Sequence, residues 1–134
     1  MKVASGGELA RFMLALKAVL SDRGSAPTLV FDEIDTGVGG AVADAIGQRL
    51  SRLATRAQVL AVTHAPQVAA RAGRHLHIRK GALAKSLTKE PSVVTRVAVL
   101  DEMQRREEIA RMLSGAAITD EARAAAAQLI KNSK

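Results

Sequence analysis

Three carboxylates, Asp32, Glu33 and Asp35, follow directly on the apolar run Thr28-Leu29-Val30-Phe31. An aspartate at the carboxyl end of a buried strand can hold Mg2+, usually through water, because this ion takes hard oxygen ligands and keeps part of its hydration. The glutamate after it can orient or deprotonate an attacking water. Upstream lies Ala4-Ser5-Gly6-Gly7-Glu8-Leu9, with two glycines where an apolar-periodic segment begins. A helix starting there presents N–H groups without intrahelical partners to an anion. The glycines let backbone approach a phosphate closely, and Ser5 adds a hydroxyl donor. Downstream, Asp35-Thr36-Gly37-Val38-Gly39-Gly40 is a glycine-rich turn, and Val62-Thr63-His64 closes a second apolar run. His64 in that place can donate to a phosphate oxygen or relay polarity to the water. Taken singly, each stretch has an ordinary structural reading: a capped helix start, two surface acids, a turn, a structural histidine. His75 and His77 alternate along a strand and are assigned no chemistry.

The elements that would position these groups alternate in type. Leu9, Phe12, Met13, Leu16 and Leu20 recur at helical spacing, so residues 5–23 read as a helix with one apolar stripe, and Ser5 with Glu8 matches a capping box. Residues 28–31 and 58–62 read as strands buried on both faces, as in parallel sheets. Between them, residues 40–54 form a helix with Val42, Ile46, Leu50 and Leu53 on one face. This order predicts an α/β layer of parallel strands with helical crossovers. A brief helical turn follows at 66–72. Residues 75–80 and 93–99 then read as two strands of a β-hairpin, and two helices, 102–113 and 120–131, close the chain. The first stops at Gly115, and Thr119 caps the second, with Asp120 and Glu121 in its first turn.

Composition narrows the class. The chain has 134 residues, 48% hydrophobic, enough for one domain with a core. It has no cysteine, which excludes disulfides, cysteine-based zinc sites and thiol catalysis. Two Phe are its entire aromatic content, which argues against stacking on single-stranded bases. No apolar run reaches the ~20 residues that span a bilayer, and no signal peptide is evident; the expected location is the cytoplasm. The formal net charge is +7. Between residues 71 and 89 stand Arg71, Arg74, Arg79, Lys80, Lys85 and Lys89 without an acid, a stretch suited to phosphate-backbone contact or to a solvated hairpin.

In combination, the four stretches stand in the order found in ABC-type ATPases. Ser5-Gly6-Gly7-Glu8 resembles the ABC signature motif, with Glu8 matching the SMC-like variant. Leu29-Val30-Phe31-Asp32-Glu33 resembles Walker B, Asp35 the D-loop acid, and His64 the switch histidine. The longer strings Val3-Ala4-Ser5-Gly6-Gly7-Glu8-Leu9, Phe31-Asp32-Glu33-Ile34-Asp35-Thr36-Gly37-Val38, Val62-Thr63-His64-Ala65-Pro66-Gln67-Val68-Ala69-Ala70 and Glu107-Glu108-Ile109-Ala110-Arg111-Met112-Leu113-Ser114-Gly115 are similar to the bacterial RecN family of DNA repair ATPases. The resemblance runs from about residue 3 to 130.

The resemblance implies a head domain that binds ATP and Mg2+ and closes on a second head over two nucleotides. Ser5, Gly6 and Gly7 would meet the γ-phosphate across the dimer. Asp32 would support Mg2+, Glu33 would be the general base, His64 would help hold the γ-phosphate and water, and Asp35 would couple the two sites. One element of the pattern is absent: no Gly-x-x-x-x-Gly-Lys-Ser/Thr occurs, since Lys85-Ser86 lacks the glycines. No sustained heptads appear either. Residues 1–134 therefore read as the C-terminal half of an ABC/SMC-like head, without the P-loop half and coiled coil, and as inactive alone. The P-loop half, a second head and DNA through residues 71–89 are the expected partners. The alternatives are a head segment of another SMC-like ATPase, or a non-enzymatic interaction or DNA-binding module.

Overall fold

In a computed structural model, the described residues are 6–19, 26–82, 93–115 and 117–133. The chain runs α1 (Gly6–Val19), β1 (Thr28–Phe31), α2 (Gly40–Leu53), β2 (Gln58–Ala61), α3 (Pro66–Ala70), β3 (Leu76–Ala82), β4 (Val93–Val99), α4 (Glu102–Ser114) and α5 (Asp120–Lys131). The α/β architecture and the order of elements follow the sequence expectation. Ser5, and with it the Ser5–Glu8 capping box, lies outside the described residues, as do Leu20, Lys85 and Lys89.

β1 and β2 pair in parallel, Thr28 with Gln58 through Phe31 with Ala61, with α2 as the crossover. Val62 continues the ladder by donating its N–H to Phe31 O at 2.9 Å. One face of this sheet carries a core of Leu14, Phe31, Ile34, Ala43, Ile46, Leu50, Leu53 and Val68, against which Leu29 and Val59 pack. The other face is open: Val30 is 67% exposed and Leu60 44%. Burial on both faces, expected from the continuous apolar run, therefore does not hold among the described residues, because their helices cover only one side. The α1 stripe departs in the same way. Phe12 is 63% exposed and Leu9, Met13 and Leu16 are also exposed, while Leu14, off that stripe, is buried in the core. An apolar groove of about 350 Å³ runs between this stripe and the sheet, lined by Leu9, Ala10, Met13, Leu29, Val30, Phe31 and Asp32. On α2, Ile46, Leu50 and Leu53 are buried as expected; Val42 is exposed and Ala43 is buried beside them.

β3 and β4 form an antiparallel ribbon from Leu76–Val99 to Ala82–Val93. Its alternation places Leu76, Ile78, Val97 and Val99 on one face, and all four are exposed. α4 and α5 pack on α3 through a second core of Ala69, Ala70, Ile109, Ala110, Ala122 and Ala126. Alanines dominate it because they let helix backbones approach closely. Asp101 caps α4 in a capping box with Gln104, and Gly115 ends that helix at φ 78°, where a side chain would be strained. Thr119 caps α5 by accepting from Ala122 N at 3.2 Å. Arg105 reaches from α4 to the carbonyl of Ala70 at the end of α3 at 2.7 Å, and Ser133 donates to the same oxygen at 2.6 Å. The C-terminal helices thus hold the end of α3 by hydrogen bonds as well as by packing.

Candidate functional site

The three acids lie in a tight turn leaving β1. Asp32 and Glu33 are exposed, and Ile34 between the acids is fully buried, anchoring the turn in the core. Asp32 Oδ1 accepts the N–H of Glu33 at 2.9 Å. Glu33 sits at φ 56°, in the left-handed region that few residues other than glycine and asparagine occupy. Strain of this kind persists only where the surroundings fix it, and it gathers at functional sites. Here the turn is closed by Thr36 N to Glu33 O at 3.2 Å and Val38 N to Asp35 O at 3.4 Å.

The start of α1 packs against this turn. A Cβ built on buried Gly7 would stand 3.3 Å from Glu33 O, tighter than ordinary contact, and 3.4 Å from Thr36 O. Glycine is the residue that permits this approach. One helical turn on, Arg11 Nη1 donates to Thr36 O at 3.1 Å. Gly6 opens the helix and Glu8 lies in its first turn.

Asp35 ties the turn to the end of β2. Its Oδ2 accepts from the Thr63 hydroxyl, from His64 N at 3.1 Å and from Ala65 N at 2.9 Å. Three donors converge on one carboxylate oxygen, so the backbone of His64 is fixed relative to the Asp32–Glu33 turn while its ring stays exposed. The structure therefore brings Gly7, Asp32, Glu33, Asp35 and His64 into one connected region, 57 positions apart at the extremes. Thr63, Ala65 and Arg11 also belong to this framework. Thr63 was visible as a polar residue ending an apolar strand; Arg11 carried no signal beyond its place one turn after the glycines.

The donor set suits Mg2+. Asp32 offers an exposed hard oxygen at the carboxyl end of a parallel strand, and among the described residues no three His, Asp or Glu converge as a metal cage. A Mg2+ here would take one carboxylate and complete its shell with water and phosphate oxygens, its usual preference.

Residues 71–89 divide in two. Arg71 is held by Asp44 through Nη2 at 2.8 Å and Nε at 3.0 Å, and this hydrogen bonding keeps the Asp44 carboxyl below its ordinary range. Arg74, Arg79 and Lys80 are exposed. His75 is half-buried; burial, then the nearby Arg105, lowers its pKa, and its Nδ1 is buried without a hydrogen-bond partner among the described residues. His77 lies 3.9 Å from Glu108, whose acidity is raised chiefly by the Arg111 guanidinium.

No protein-family model matches the chain. Curated relatives do. The DNA repair protein RecN of Rickettsia felis is 49% identical over 129 residues, which is 96% of this chain and 22% of that protein. The RecN proteins of Xylella fastidiosa and Bacillus subtilis are each 45% identical over 130 residues, 97% of this chain and 22% of theirs. This chain thus spans 22% of the length of these relatives. Among solved structures, one from a study of ATP-driven dimerization and DNA-stimulated activation of SMC ATPases superposes with a TM-score of 0.58 at 19% identity, covering 85% of this chain and 65% of that one. Among the described residues, no helix is long and apolar enough to cross a membrane. Nearly half identical to these RecN proteins along almost its whole length, and with a fold like that of an SMC ATPase structure, the chain corresponds to a C-terminal segment of the RecN proteins.

Proposed function

We propose that this segment supplies the signature motif, Walker B acids, D-loop and switch histidine of an ATP-hydrolysing head in a bacterial DNA repair protein. The observation that carries the reading is the linkage through Asp35: one carboxylate joins the Asp32–Glu33 turn to the backbone of His64, while Gly7 backs the same turn from α1. Two acids and a histidine whose backbones are held in fixed relation at strand ends can present their side chains to orient a water against a phosphate. In this reading Glu33 accepts the proton of the attacking water, and His64 donates to the phosphate oxygen. Asp32 supports Mg2+, which supplies charge neutralisation on the phosphates when bound. Ser5, Gly6 and Gly7 offer donors to the γ-phosphate of a second head. ATP would close two heads and hydrolysis would release them.

The phosphate-cradling loop has no counterpart in these 134 residues. In our reading it comes from the N-terminal half of the head, packed on the open face of β1 and β2 and on the α1 stripe. The relatives are DNA repair proteins, and the structural neighbour comes from work on SMC ATPases activated by DNA. Both support DNA as a partner of the whole protein, which in our reading works in the bacterial cytoplasm.

The test is ATP–Mg2+ binding and turnover by this chain, before and after adding an N-terminal RecN segment as a separate polypeptide. Turnover that appears only on mixing and is lost in Glu33→Gln supports the reading. Metal-dependent turnover by this chain alone overturns the role given to the second polypeptide. Two folded halves that restore nothing overturn the head assignment.

A further inference from the structure

The β3–β4 ribbon sets Arg79 directly opposite Arg96 in its antiparallel register. Residues paired this way project from one face with Cβ atoms about 5 Å apart, and like charges there repel. Both arginines are exposed, and among the described residues neither meets a carboxylate. Three arginines differ in this respect: Arg71 has Asp44, Arg111 has Glu108, and Arg123 has Glu107 and Asp120. Arg79 Nε donates to His77 Nδ1 at 3.3 Å, on the same face, which steadies the guanidinium without occupying its terminal nitrogens. The opposite face of the ribbon carries Ile78 and Val97, 57% and 61% exposed, with Lys80 across from Thr95 next along the register. The Arg79–Arg96 face thus holds two guanidinium groups in register, and Glu108, the acid beside His77, is engaged by Arg111.

We propose that Arg79 and Arg96 form a cross-strand clamp for the phosphate backbone of duplex DNA. A guanidinium is a planar fork matched to phosphate oxygens, and two held side by side can converge on one phosphodiester. A bound phosphate turns their repulsion into attraction. The net charge of +7 draws the chain to polyanions, and a chain with two Phe as its aromatics has little with which to stack exposed bases, so the double-stranded backbone is the matching form. The clamp deepens the reading of residues 71–89 as a DNA contact and rests on it. It removes Arg71, which Asp44 holds, and adds Arg96 from β4, outside that stretch.

The experiment is fluorescence anisotropy of a labelled mixed-sequence duplex with the full chain, without nucleotide, over a range of salt. Arg79→Gln and Arg96→Gln should each weaken binding several-fold irrespective of sequence, and each should reduce the slope of log K against log salt by about 1. Arg79→Lys and Arg96→Lys should keep the slope. Arg96→Glu should hold or raise Tm, since opposite charges then face each other across the ribbon, and yet lose binding; arginines with a structural role alone would lose Tm instead. Arg71→Gln should lower Tm and leave the slope intact. A wild-type chain that does not bind duplex overturns the clamp. So does an Arg79→Gln/Arg96→Gln double variant with unchanged affinity and slope, or preference for polyglutamate over DNA. Because no ATP is present, failure here leaves the ATP-site reading standing, and failure of reconstituted turnover leaves the clamp standing.

Discussion

Asp35 Oδ2 accepts the backbone N–H of Ala65 at 2.9 Å, joining the turn after β1 to the loop after β2 across 30 positions of sequence. The Thr63 hydroxyl and His64 N–H share the same oxygen. Asp35→Ala would leave three donors without this acceptor. Loss of hydrogen bonds to a charged group is expected to cost about 1–3 kcal/mol, measured by denaturant unfolding. Asp35→Asn, which keeps one carbonyl oxygen, should retain part of that stability. An Asp35→Ala protein as stable as wild type would show that the linkage contributes nothing.

Glu33 combines a left-handed backbone with the proposed role of base. Glu33→Asn should therefore raise stability by up to about 1 kcal/mol, because asparagine tolerates this conformation better. It should at the same time remove turnover in the reconstituted head. Glu33→Gln, which keeps the backbone preference, should remove turnover at nearly unchanged stability. Lower stability in Glu33→Asn would contradict the strain assigned to the turn.

At Gly7, helix propensity and packing point in opposite directions. In an open helix, Gly→Ala gains up to about 1 kcal/mol. Here the added methyl would stand 3.1 Å from Arg11 Nη1 and 3.3 Å from Glu33 O, and the latter is backbone with little freedom to move. Gly7→Ala is thus expected to lower Tm and to perturb the amide resonances of residues 33–36 in an NMR spectrum. A rise in Tm would show that the turn yields.

Ile109 is fully buried among alanines of α3, α4 and α5. Ile109→Ala should cost about 2–4 kcal/mol, since close-packed helices cannot collapse to fill the void. Phe12→Ala, a larger truncation on the open stripe, should cost this chain under about 1 kcal/mol. Once an N-terminal half is present, Phe12→Ala should weaken association of the two. Equal effects of Ile109→Ala and Phe12→Ala on the isolated chain would mean that the stripe is covered.

His75 gives a pH dependence with a defined sign. Burial and the Arg105 charge lower its pKa from 6.5 in the folded state, with Glu108 opposing and His77 assisting. The unfolded chain then binds more protons in that window, so stability rises with pH. The contribution is complete above the unfolded value of about 6.5 and is lost on acidification toward the lower folded value. Thermal melts between pH 5 and 8 should show this slope, and His75→Gln should flatten it. Asp44 adds loss at lower pH: its folded pKa lies below 3.8, so the stability of its pair with Arg71 is present above that value and falls as the carboxylate is protonated.

The sequence by itself determined the elements and the chemistry they could carry. Periodicity placed α5 at Asp120–Lys131 and β4 at Val93–Val99, because helical and strand repeats are local properties of the chain. The acids after Phe31, the glycines at the start of α1 and His64 were legible as residue types at element ends. Tertiary structure decided which apolar residues are covered and what each polar group touches. Leu9, Phe12, Val30 and Leu60 read as core, yet a hydrophobic pattern states only that a face needs cover, not whether these residues supply it. That Asp35 holds the His64 backbone, that Gly7 backs Glu33, and that Arg79 faces Arg96 each depend on register and approach between residues 17 to 29 positions apart. Such relationships have no periodic signal along the chain, because they are fixed by strand pairing and helix packing in three dimensions.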